Sequence, residues 1–253
     1  MTRFTAIFSA VILAFLQGCQ KDTGVSQASP TITETFKYGI SKPIDPFPGF
    51  EIVNSDTKDV YGCVGHVHNK QGEFIGSGVL IAPAVVLTAA HVIEGEDLVY
   101  FITQDRAYTI EKTIKHPQWN PRFLDHDLGI LLLQDPCPEK PAVLIESKAE
   151  LRRREALTTV GWSRQIKKIS KPGTFWYYGT LEEFPGFMKF LPHKGNIWMG
   201  DSGGAVFEDG GKLAGIISSL TIIDYQIIDQ SAVRLDLYLD WIASTIKAEN
   251  CTK

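Results

Sequence analysis

From Ile52 onward, apolar and polar positions alternate in short runs that are broken by Gly, Pro, Asn and Asp. Val64–Asn69, Ser77–Ile81, Val85–Ala89, Leu98–Thr103, Gly129–Leu133, Leu157–Gly161, Gly204–Phe207 and Leu213–Ser218 each have the length and residue content of a strand. Many short strands separated by turn residues predict an all-β barrel or sandwich. One segment follows a different period. From Leu237 to about Ala248, Leu239, Ile242 and Ile246 fall on one face at helical spacing, which predicts a C-terminal helix. No repeat is visible at the periods of solenoids or propellers.

The N-terminal segment has no such pattern. Arg3 precedes an apolar run from Phe4 to Leu16, which is too short to cross a bilayer as a helix and fits the core of a signal peptide. The run ends in Leu16-Gln17-Gly18-Cys19, which resembles the lipobox of bacterial lipoproteins, where the cysteine is lipidated and becomes the mature N-terminus. Gln17 departs from that pattern, and a plain secretory signal is the alternative. Residues 1–18 are therefore read as a signal peptide, Cys19 as a lipidation site, and 19–51 as a tether or propeptide rich in Ser, Thr, Pro and Gly. The expected location is the bacterial cell envelope, with the membrane as partner through the lipid. Gln20 does not supply the aspartate that holds lipoproteins at the inner membrane, so an outer-membrane site follows, or release after cleavage.

Composition narrows the class. The chain has 253 residues, 44% of them hydrophobic, enough for a core and unlike a disordered chain. Its net charge of −4, without a basic patch, argues against nucleic acid as a partner. Beyond Cys19 there are cysteines at 63, 137 and 251, an odd number that cannot all pair within one chain.

Three motifs carry candidate chemistry. Leu87-Thr88-Ala89-Ala90-His91 places a histidine directly after a strand. His126-Asp127-Leu128-Gly129-Ile130-Leu131 places a carboxylate at the mouth of one. Gly200-Asp201-Ser202-Gly203-Gly204 places a serine in a glycine-rich turn. Amide hydrolysis by a hydroxyl needs a base for the proton of the nucleophile and a buried acceptor to fix the tautomer of that base. Asp125 competes with Asp127 for the acid role, but only Asp127 is followed directly by Leu-Gly-Ile-Leu.

With those residues in that order, the sequence resembles the trypsin-like serine proteases of chymotrypsin fold. Ile52-Val53-Asn54, Gly76-Ser77-Gly78-Val79-Leu80-Ile81, His116-Pro117, Gly161-Trp162 and Trp241-Ile242 extend the match from Ile52 to the terminal helix. The resemblance implies two six-stranded antiparallel β-barrels of chymotrypsin type with a C-terminal α-helix. The first barrel would span about 52–140, the second about 141–236, and the helix about 237–248. It implies that Ser202 is the nucleophile, His91 the base and Asp127 its orienting acid. The N–H groups of Gly200 and Ser202 would form the oxyanion hole. The expected activity is a serine endopeptidase acting on peptides or proteins, with no cofactor and no metal. A catalytically silent cell-surface binding protein on the same fold is the alternative.

The resemblance also suggests finer roles. Asn196 would floor the specificity pocket, with Ser218, Ser219 and Leu220 along its edge. Without a carboxylate at Asn196, cleavage after Arg or Lys is disfavoured, and Ile217 lacks the histidine of glutamate-specific relatives. A small or medium neutral side chain is expected. Trp198 would form a pocket wall. Val92 stands where a disulfide usually pins the histidine loop, and the interval from His91 to Asp127 leaves little room for a calcium loop. His66 and His68 could approach a metal with Cys63, although a plain surface strand fits them better. A Cys137–Cys251 disulfide is expected, with Cys63 as a free thiol. Finally, cleavage between Glu51 and Ile52 would let the new N-terminus pair with Asp201 and order the oxyanion hole. The alternative is a single-chain enzyme in which Asp201 finds another partner.

Overall fold

The computed structural model of the protein describes residues 48–53, 59–104, 106–146, 154–172, 174–180, 186–192, 195–223 and 226–251. The expected signal peptide, Cys19 and the tether up to residue 47 lie outside them. Among the described residues the first strand is β1 (Phe50–Ile52). It is followed by β2 (Val64–Asn69), β3 (Phe74–Ala82), β4 (Val85–Thr88), β5 (Leu98–Thr103), β6 (Arg106–Lys115) and β7 (Gly129–Leu133). Strands β2 to β7 close into a barrel in the order β2-β3-β4-β7-β6-β5. Every residue of β4 and β7 is buried, and the two pair from Val85–Leu132 to Thr88–Gly129. That burial on both faces explains why they read as continuous apolar runs. Phe101, Leu80, Leu87, Ile130, Leu131 and Leu133 fill this half of the core.

The second sheet joins β1 to β8 (Ala156–Ser163), β9 (Ile166–Ser170), β10 (Phe175–Thr180), β11 (Phe187–Pro192), β12 (Ala205–Phe207), β13 (Leu213–Ile223) and β14 (Gln226–Arg234). Its order is β1-β9-β8-β10-β11-β14-β13-β12, and β12 also pairs with β8, so six of the strands return on themselves. These six strands form the second barrel that was expected, and β9 and β1 extend the sheet to eight. The extra pair exists because β8 is long. Leu157 and Ala156 pair with β10, while Val160 to Ser163 pair with β9. Through β9, β1 enters the sheet, with Phe50 opposite Ser170 and Ile52 opposite Lys168. Phe50 and Glu51, assigned to the tether on sequence, are therefore part of the folded body.

A 3-10 turn (Leu235–Leu237) leads into the terminal helix, Leu239–Asn250, which begins two residues later than the periodicity suggested. Ile242 is buried, with Leu239 and Ile246 half-buried on the same face, as the spacing requires. Lys112 Nζ, from β6, bonds Glu249 at 2.7 Å and ties the helix end to the first barrel. The Cys137–Cys251 disulfide expected from sequence is not formed. Cys137 is buried, its N–H held 2.6 Å from the Pro83 carbonyl in the β3–β4 turn, while Cys251 is exposed at the end of the helix. Cys63, Cys137 and Cys251 are all free thiols. Burial pushes the Cys63 thiol up to about 11, which keeps it protonated at neutral pH.

Candidate active site

His91 is delivered by the end of β4. Ala89 remains extended and the chain then turns into one helical turn, Ala90–Ile93, whose residues Ala90, Val92 and Ile93 are buried. His91 is left at the edge of the barrel, half-buried. Val92 packs where a disulfide was expected to be absent: a Cβ at Gly76 would lie 3.0 Å from its methyl group, so apolar contact holds the loop against β3.

Asp127 is fully buried just before β7. Its Oδ1 accepts the backbone N–H of His91 at 2.8 Å, and its Oδ2 lies 2.7 Å from His91 Nδ1 and accepts the hydroxyl of Ser218 at 2.6 Å. Three donors converge on one buried carboxylate, which compensates for its loss of water. With Nδ1 facing that carboxylate as the donor, His91 Nε2 is left as the basic atom. Burial alone would push the imidazole down, but the charge of Asp127 and its hydrogen bond outweigh it. They hold His91 above the ordinary histidine value. Asp125, the rival on sequence, turns instead to its neighbour: its Oδ1 accepts the His126 N–H at 3.0 Å and its Oδ2 lies 3.7 Å from His126 Nε2.

Ser202 sits in a turn closed by Asp201 N–H to Trp198 O at 3.0 Å and Gly204 N–H to Asp201 O at 2.8 Å. Two glycines in this turn are dictated by space and by backbone angle. Gly200 has φ 95° and Gly203 φ 84°, and a Cβ on Gly203 would come within 2.1 Å of the Ser77 carbonyl. Among the described residues no carbonyl takes the N–H of Gly200 or of Ser202, so both donors remain available at the site.

Two serines that were not assigned to the catalytic machinery join its parts. Ser218 touches Asp127 through its hydroxyl, and its carbonyl accepts the Ser202 hydroxyl at 3.5 Å. One residue thereby brings the acid of the first barrel to the nucleophile turn of the second sheet. It was expected only at the edge of the pocket. Ser77, in β3, donates its N–H to Ser202 O at 2.8 Å and its hydroxyl to Gly200 O at 2.8 Å. Its own Oγ accepts from Trp162 N–H at 3.0 Å. The Gly76-Ser77-Gly78 match marked this strand but not the role of the hydroxyl, which depends on a contact 123 residues away.

The pocket residues are spread more widely. Asn196 is exposed, its Oδ1 accepting from Gln230 Nε2 at 3.0 Å, and Gln230 itself is buried. Ser219 shares a 2.7 Å hydrogen bond with Ser231, and Leu220 is half-buried behind it. Trp198 and Met199, both exposed, lie immediately before the turn. His66 and His68 bond each other at 2.8 Å, and His66 packs on Trp162 with ring centres 4.2 Å apart. Among the described residues no group of three or more His, Cys, Asp or Glu side chains is gathered for a metal.

The pairing expected between Ile52 and Asp201 belongs to a chain cut before Ile52; in the uncut chain Asp201 has the other partner that the single-chain alternative called for. Ile52 is the last residue of β1, with no free amino group in the intact chain, and Asp201 Oδ2 lies 2.7 Å from Lys168 Nζ.

A barrel that carries an imidazole on a buried carboxylate, joined to a second sheet that carries a glycine-flanked serine, is the architecture of a chymotrypsin-type serine protease. The family model described as Trypsin matches residues 52–242, and the chain belongs to the trypsin family. Solved structures agree on the fold. Neuropsin, a serine protease expressed in the limbic system of mouse brain, superposes with a TM-score of 0.61 at 19% identity, over 74% of this chain and 95% of that one. Kallikrein-related peptidase 10, in a complex with Zn2+, gives 0.61 and 19% over 74% and 96%. No curated protein matches the chain.

Proposed function

We propose that the protein is an exported serine endopeptidase that hydrolyses peptide bonds through an acyl-enzyme on Ser202. The observation that carries this reading is the Asp127 carboxylate, which bonds His91 and, through Ser218, meets the Ser202 turn. His91 Nε2 takes the Ser202 proton as Oγ attacks the scissile carbonyl, and the N–H groups of Gly200 and Ser202 stabilise the negative oxygen that forms. His91 then gives that proton to the leaving amine. Water, deprotonated by the same imidazole, attacks the ester and returns Ser202 to its free form. Asp127 stays ionised throughout and holds the imidazolium that appears in both steps.

At the substrate side, an uncharged Asn196 and the apolar Trp198 and Met199 favour a neutral residue before the cleaved bond. A peptide-library cleavage profile of the purified protein tests activity and preference together. Cleavage confined to sites after Arg or Lys would contradict the pocket assignment, and uptake of a fluorophosphonate at Ser202 separates an enzyme from a silent binding protein.

The raised His91 value sets a pH dependence. The base must be neutral, so kcat/KM rises with pH through a value above the ordinary 6.5 or so and is lost as pH falls through it. A pH–rate profile checks this, and an acid limb below that ordinary value would contradict the His91–Asp127 coupling.

Cys19 anchors the protein in this reading, since the apolar run and Leu16-Gln17-Gly18-Cys19 support lipidation and two or more acyl chains bind a membrane stably. Cys19→Ala is expected to move the protein from the membrane fraction to the soluble one. Unchanged partitioning would exclude the anchor.

A further inference from the structure

In the trypsin-like pattern the nucleophile turn is ordered by an amino terminus made by proteolysis, yet here the carboxylate that would receive it is already neutralised from within the chain. Lys168, on β9, reaches Asp201 Oδ2 at 2.7 Å, and both side chains are only 1% exposed. The same ammonium lies 3.4 Å from the carbonyl of Asn196, at the expected floor of the specificity pocket. Asp201 Oδ2 also accepts the Trp198 N–H at 2.7 Å. One buried cation therefore fixes both ends of the stretch from Asn196 to Asp201, which contains Gly200.

The lysine has a built enclosure. The ring of Phe50 covers its Nζ at 4.2 Å, and Phe50 is itself buried, edge-on to Phe175 at 5.8 Å. β1 is held in place by Val53 N–H to Lys167 O at 3.0 Å and Lys171 N–H to Gly49 O at 2.8 Å, with Thr174 Oγ1 donating to Gly49 O at 2.9 Å. A Cβ on Gly195 would fall 2.3 Å from Pro48 O and 2.9 Å from the Phe50 ring, so the segment fits closely against the loop before Asn196. Residues 48–52 are thus a structural part of the enclosure, and a cut after Glu51 would sever β1 between Phe50-Glu51 and Ile52.

We infer that Lys168 is a built-in substitute for a cleavage-generated amino terminus: it holds Asp201, orders the Gly200 turn in the uncut chain, and makes activation before Ile52 unnecessary. This rests on the proteolytic reading above for its functional consequence, and on the geometry alone for its structural one. Burial pushes the Lys168 amine down and the Asp201 carboxyl up from their ordinary values, and each is the charge that counters the other's burial. Lys168 is a positioning residue, since it acts on the oxyanion donors through Asp201.

The test uses the full-length chain with a site-specific protease sequence placed so that cutting occurs just before Ile52. Three quantities are read: the fraction of Ser202 labelled by a fluorophosphonate, kcat and KM on a peptide substrate, and hydrogen exchange in residues 198–204. The uncut chain should label fully, and cutting should raise kcat by less than about twofold. Lys168→Met should cut the labelled fraction and kcat by about 10² or more. Exchange should quicken at 198–204 while β2 to β7 keep their protection. Should that variant fail to fold because Asp201 is left as an unpaired buried charge, K168M/D201N removes both charges and is expected to show the same loosened turn. An uncut chain that is silent and gains activity on cutting would overturn the inference while leaving the protease function standing. Labelling of neither form would sink the protease reading instead, and the exchange result would then decide the role of Lys168. Unchanged exchange at 198–204 in the lysine variants would overturn it.

Discussion

Ser202→Ala is expected to lower peptide turnover by about 10⁶, the loss typical of removing the nucleophile from a complete triad, while the protein stays folded. The fold should survive because, among the described residues, the hydroxyl makes one long hydrogen bond, 3.5 Å to the Ser218 carbonyl. The structural tie of this residue is its backbone oxygen, which accepts the Ser77 N–H at 2.8 Å and is present in alanine too. Stability should change by about 0.5 kcal/mol or less, as at sites without a buried partner. Turnover within tenfold of the parent, in a preparation free of other proteases, would remove Ser202 from the mechanism.

The second large effect is at Asp127. Its two oxygens accept three donors: the His91 N–H, His91 Nδ1–H and the Ser218 hydroxyl. Asparagine keeps the shape but turns one acceptor into a donor. If its amide group faces Nδ1, the imidazole must accept there and carry its proton on Nε2, where it can no longer take one from Ser202. A fall in kcat of about 10⁴ at neutral pH is expected for this wrong tautomer. The acid limb should also move to lower pH, because the charge that raises the His91 value is gone. A fall of less than tenfold with an unmoved limb would show that Asp127 does not orient the base.

What could be read from the chain and what could not follow a physical division. Val64–Asn69, Leu98–Thr103 and Gly129–Leu133 were legible to the residue, because their apolar positions mark their burial directly. Ile166–Ser170 was not. Its second and third residues are lysines, yet both are buried, Lys167 against Asp59 at 2.6 Å and Lys168 against Asp201. A buried charge looks like a surface charge in a sequence, since its partner is distant along the chain. Arg106–Lys115 escaped for a simpler reason: it is mostly polar and exposed, without a sustained alternation, and only Tyr108 and Ile110 are buried.

The site divides in the same way. His91, Asp127 and Ser202 carry local motifs, and the structure brings their neighbourhoods together through Ser218. Ser77 and Ser218 lay in segments that matched the family, but their roles and that of Lys168 are made by contacts between barrels or across a sheet, which no local pattern reveals. The expected activation at Ile52 drew on resemblance, and the structure places that residue at the end of β1, the outermost strand of the second sheet, opposite the lysine that holds Asp201.

The central claim, that Ser202 is an activated nucleophile, is tested most directly by fluorophosphonate labelling of the purified full-length protein with the modified residue mapped by mass spectrometry. One adduct per chain is predicted, on Ser202, forming faster as pH rises through the His91 value and absent from Ser202→Ala. A chain that takes up no label at any pH between about 6 and 9, or takes it up on another residue, would contradict the account.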